Sequence, residues 1–140
     1  WRLSLVEPGG GRWEAVNHDL YHCLREIRRQ VEPAGILVCC QGATRNARPS
    51  GLLSDQAGGL SHYKLHRWRG HLPWDLVYLF APVPPGKVAT VAEQDAYLRK
   101  VDAYRESVLP FLNPFQWLTI GFCLPYYWLR EQRFRWRGSR

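Results

Sequence analysis

The sequence predicts an α+β fold: an antiparallel sheet of about four to five strands packed against two helices. Two segments, Leu20 to Val31 and Val91 to Val108, repeat apolar residues at helical spacing. Between and around them lie short apolar or alternating runs bounded by glycine and proline, the pattern of strands joined by turns. The third observation is size. With 140 residues and 46% hydrophobic composition the chain can build one core but hardly two, so residues 1–140 are expected to form a single domain with an aromatic, arginine-rich extension from residue 111.

Trp1 to Val6 alternates Trp, Leu and Leu with Arg and Ser, as a half-buried strand does. Pro8 and three glycines make a turn, and Arg12 to Val16 can pair back as a second strand. Asn17 is a suitable N-cap for the first helix, whose inner face is Leu20, Cys23, Leu24, Ile27 and Val31. It should end near Glu32, because the residue before Pro33 is pushed out of helical geometry. Ile36 to Cys40 is too short for a helix and reads as a buried strand. Leu60 to Arg69 alternates two mixed faces, and Trp74 to Val83 is another apolar run, so these three strands in succession suggest antiparallel pairing. Thr90 and Glu93 form a capping box that opens the second helix, with Val91, Tyr97, Leu98, Val101, Tyr104 and Val108 as its stripe and Pro110 as its stop. Phe111 to Leu129 is aromatic and apolar, but Asn113, Pro114, Gln116, Thr119 and Pro125 interrupt it, so no membrane-spanning segment is expected. A terminal strand or helix that completes the core, or an aromatic flap over a partner site, is the expectation there, and the basic end could also lie on an anionic membrane surface.

Nineteen Lys and Arg against twelve Asp and Glu give a formal charge of +7, and most of the basic residues are arginine. Arginine keeps its charge and grips carboxylate or phosphate through paired hydrogen bonds, so the balance suits an acidic protein surface or a nucleic acid. Five of the arginines sit between Arg130 and Arg140, which leaves the remainder nearer to neutral and the nucleic-acid reading weaker. Cys23, Cys39, Cys40 and Cys123 form no CxxC pair, and no secretory signal is evident. Free thiols in a reducing cytoplasm are therefore expected.

Catalytic and metal motifs are sparse. His18 and His22 are four apart on the first helix and could share a face, yet no glutamate base lies between them and the sequence offers no obvious third ligand, so no metal is assigned. A cysteine nucleophile could be built only from Cys40 with His62 or His66. Nucleotide-binding and serine-hydrolase motifs are missing, so no catalytic residue and no cofactor are assigned.

The stretch from Gly35 to Gly59 is the least generic. Its loop, QGATRNARPSGLLSDQAGG, holds Arg45 and Arg48 around Asn46 and leads into a turn at Pro49, Ser50 and Gly51. A plain solvated connection would carry similar residues, but long loops in small domains usually have a function. The expected partner-binding set is Arg45, Asn46, Arg48 and Ser50 from this loop, His62 from the next strand, and Trp68 and Trp74 as aromatic anchors.

The helix end LREIRRQVEPAG, the strand and loop ILVCCQGATRNARPSG, the following GG with its aromatic strand, and TVAEQDAYLRKVDAYRESV together resemble small bacterial immunity-type proteins encoded beside polymorphic or contact-dependent toxins. The resemblance runs from about Val16 to Val108 and carries no family-wide catalytic residues. It implies a cytoplasmic, non-catalytic protein that binds one cognate toxin and neutralises it, and Arg45 and Arg48 suggest an acidic surface on that partner. A basic nucleic-acid-binding module is the alternative.

Overall fold

The computed structural model describes residues 1–115, 117, 118, 121 and 125. The α+β class holds, but the strands divide into two small antiparallel sheets instead of one. Strands β1 (Arg2–Val6) and β2 (Arg12–Val16) form a hairpin in which Leu3 faces Ala15 and Leu5 faces Trp13. The alternation seen in the sequence sets this register, since it puts the apolar side chains on one face.

Helix α1 (Leu20–Val31) follows, capped by Asp19 and not by Asn17; the Asp19 carboxylate accepts the amide of His22. Its apolar stripe packs two ways. Cys23, Ile27 and Val31 meet the hairpin through Ala15, Leu3, Leu5 and Trp13, while Leu20, Tyr21 and Leu24 pack against Cys40, Ala43, Ala47 and Leu79. The helix ends where expected, in a tight turn over Glu32–Ala34 with Gly35 left-handed at φ +77°.

Ile36 to Cys40 is extended but is not a strand; its one ladder contact is a bridge from Cys40 to Pro82. Gln41 donates to Ala81 and Val83 to Cys39, yet Pro82 has no amide to continue the ladder, and Pro84 ends the facing segment. The expected long loop is also corrected. It folds into a one-turn helix at Gln41–Ala43, strand β3 (Ala47–Arg48) and helix α2 (Gly51–Ala57), which Ser50 caps by accepting the amide of Leu53. Gly42 is required here, because a Cβ would collide with Leu24 and Leu79.

Strand β4 (Ser61–Lys64) pairs with β3 on one side and β5 (Leu76–Tyr78) on the other. The run Trp74 to Val83 is thus not a buried strand: Trp74 is exposed, and Asp75 is buried in the turn before β5. There Asp75 takes both guanidinium nitrogens of Arg69, at 2.6 and 3.1 Å, and the amide of Leu72. Helix α3 (Val91–Glu106) has the expected capping box of Thr90 and Glu93, and it buries Val91, Leu98, Val101 and Tyr104. It stops at Ser107, before Pro110, which lies instead in the first turn of α4 (Leu109–Leu112). Val108, Phe111, Leu112, Phe115, Trp117 and Leu118 are exposed, so these residues do not complete a core. The arginine tail and Cys123 lie outside the described residues. No helix among the described residues is long and apolar enough to cross a membrane.

A buried polar network joins α1 to α3. Arg28, wholly buried, pairs with Glu32 at 2.9 Å and donates to the side chain of Gln94 at 2.9 Å and to the carbonyl of Ala89. Removing the guanidinium would leave the Glu32 charge and the Gln94 carbonyl unpaired in the interior. Arg28→Ala should therefore cost about 3–5 kcal/mol, read as a shift of the urea unfolding midpoint at unchanged slope.

His62, on β4, is also wholly buried, which corrects its assignment to a partner surface. Neither ring nitrogen has a hydrogen-bond partner among the described residues. Burial, with the nearby Lys64 charge, pushes its pKa down to about 4. The unfolded chain takes up a proton near pH 6.5, whereas the folded one does not until about pH 4. Stability should thus be unaffected by this residue above pH 6.5 and fall by roughly 3 kcal/mol as the pH drops through that window. Thermal melts from pH 7 to 4 should show His62→Phe losing less than the parent.

Candidate functional site: a lysine cleft beside β3

Residues 44–48 form a narrow wall between two clefts, and the two arginines of the expected site face different ones. Arg45 and Asn46 line a cleft of about 870 Å³, closed on its other sides by the segment 82–89, by Lys64 and His66, and by α3 through Glu93, Ala96, Tyr97 and Lys100. Arg48 and Ser50 line a second cleft of about 550 Å³ with the start of α1 and the outer face of α3. Gln94 holds this wall in place: its buried side-chain amide donates to the carbonyls of Gly42, Thr44 and Ala47 at 2.9–3.2 Å.

The larger cleft collects Lys64, Lys87 and Lys100, which are all the lysines of the chain, together with Arg45. Among the described residues none of these four takes part in a salt bridge, although the Arg45 guanidinium lies 5.1 Å over the Tyr97 ring. Stacking of this kind restrains a guanidinium without neutralising it. The Tyr97 hydroxyl is in turn fixed on the carbonyl of Leu65 at 3.1 Å. The one carboxylate in the lining, Glu93, is occupied by the backbone and hydroxyl of Thr90, which hold its pKa below the usual carboxylate range. Partial burial and the Arg69 charge, which outweigh Asp75, lower the pKa of His66. Four cations thus face one capped anion, and the field in the cleft attracts negative groups.

Arg48 behaves differently. It pairs with Asp102 at 2.6 Å, so much of its charge is matched within the protein. Ser50 is a helix cap. Trp68 and Trp74 are exposed, as expected of anchors, but neither lines the lysine cleft. Trp68 stacks edge-on with Tyr104 at 5.3 Å, and its carbonyl accepts from Asn113.

The cysteine reading gains nothing from the geometry. Cys40 is buried, burial pushes its thiol up, and no hydrogen bond joins it to His62. His18 and His22, by contrast, have a neighbour that the sequence did not single out: Asp19, wholly buried between them.

The lysines were missed because nothing in their spacing unites them; Lys64, Lys87 and Lys100 come from a strand, a turn and a helix. Their scarcity among nineteen basic residues was the available signal. No protein-family model matches the chain, and no curated protein is significantly similar to it.

Proposed function

We propose that the protein is a non-catalytic immunity protein of the producing cell's cytoplasm, which binds a cognate bacterial toxin one to one and neutralises it. The lysine cleft is the surface that receives an acidic segment of that toxin. The observation that carries this reading is the convergence of Arg45, Lys64, Lys87 and Lys100, unmatched by ion pairs among the described residues, on one cleft. Like-signed charges held close repel one another in the free protein, so an anionic partner relieves that repulsion as it binds. The sequence resemblance to immunity-type proteins gives the class of partner, and the exposed Trp68 and Trp74 suit an aromatic periphery for such an interface.

The test is co-expression with the products of the neighbouring reading frames, among which this reading expects the toxin. Growth should be rescued, and the two proteins should co-elute as a one-to-one complex. Lys87→Glu with Lys100→Glu should weaken the complex at least a hundredfold and abolish rescue, at an unchanged melting temperature because both side chains are exposed. Rescue and affinity unaltered by the double reversal would remove the cleft from the interface. Tight binding to a generic DNA duplex or RNA strand, falling steeply with salt, would replace this reading with a nucleic-acid one.

A further inference from the structure

We propose that His18, Asp19 and His22, at the start of α1, form a binding site for a divalent transition metal, zinc foremost. Asn17 Oδ1 accepts the backbone amide of His18 at 2.9 Å, which identifies that atom as the oxygen. The same oxygen lies 2.8 Å from His18 Nδ1, so Nδ1 must carry the proton. In a neutral ring Nε2 then presents a lone pair, and it stands 3.4 Å from the carboxylate oxygen Asp19 Oδ2. Either a proton on Nε2 or a metal ion between the two atoms satisfies this contact, and the third ligand atom nearby favours the metal.

The spacing fits a metal. Zinc bonds of about 2.0–2.1 Å to nitrogen and oxygen place neighbouring ligands of a tetrahedron about 3.3–3.4 Å apart. One ligand atom from each of the three residues lies within 4.8 Å of the other two, and the two imidazole rings are 4.2 Å apart between centroids. Two imidazoles and one carboxylate are a donor set for zinc and its neighbours, not for magnesium or calcium, which take mostly oxygen.

The surroundings hold these donors as outer partners hold metal ligands elsewhere. Asp19 is wholly buried, fixed by the Ser54 hydroxyl and by the amide and ring of His22, at 2.7 and 2.8 Å. No lysine or arginine among the described residues pairs with it; its side-chain neighbours are the Ser54 hydroxyl and the two imidazoles. Access is open as well: His18 is exposed, and both histidines line the 550 Å³ cleft together with Asp55, leaving room for a fourth ligand.

Untagged protein, stripped with chelator and dialysed, should be titrated with zinc chloride by calorimetry. One zinc per chain is expected, with a Kd in the micromolar range or tighter. His18→Ala and His22→Ala should each weaken binding at least tenfold while the circular dichroism spectrum is retained. Cobalt(II) should give the intense visible bands of a tetrahedral ion with the parent and not with His18→Ala. Zinc should also raise the melting temperature of the parent alone. Absence of binding at millimolar zinc, binding unaltered in both variants, or binding removed by blocking the thiols would each overturn the site; the first would leave His22 and Asp19 as a simple ion pair.

Discussion

The fold depends on one buried cation. Arg28 points from α1 into the interior, where Glu32 balances its charge and the side chain of Gln94 and the carbonyl of Ala89 take its hydrogens. Glu32 also accepts the amide of Val91, so the same cluster ties down the first turn of α3. Gln94 extends the network to three carbonyls of residues 42–47. A segment with too little apolar side chain to anchor itself is thus held by backbone hydrogen bonds to one amide. Buried networks of this kind rigidify the structure, because each lost partner leaves another group unpaired in a medium that cannot solvate it.

That rigidity decides the electrostatics of the surface. Among the described residues six arginines pair with the chain's acids: Arg12 with Glu14, Arg25 with Asp95, Arg28 with Glu32, Arg29 with Glu26, Arg48 with Asp102 and Arg69 with Asp75. The lysines are left to gather at the other cleft with Arg45. Net charge alone does not convey this division, since +7 spread evenly would produce no focus. The two clefts on either side of residues 44–48 consequently differ in character. One is a field of unmatched cations, and the other mixes ion pairs with the His18, Asp19 and His22 cluster.

Local chemistry was legible wherever a residue's role depends on its neighbours in sequence. The hairpin register, the apolar face of α1, the turn at Gly35 and the capping box at Thr90 all read directly from spacing, because helix and strand periodicity and cap geometry act over a few residues. The short helix α2 was also encoded, in Ser50 before GLLSDQA, but its lack of an apolar stripe concealed it among loop residues. Ile36 to Cys40 had the composition of a strand, yet a strand needs a partner able to donate and accept along its length, and Pro82 breaks that partner.

By itself the sequence determined the α+β class and both main helices. Only the tertiary structure decided which residues form a site. It buried His62, matched Arg48 with Asp102 across 54 positions, gathered three lysines from separate elements and set Asp19 between two histidines. The physical reason is range. Propensity and capping are settled by neighbours along the chain, whereas burial and charge pairing depend on which distant segments packing brings together.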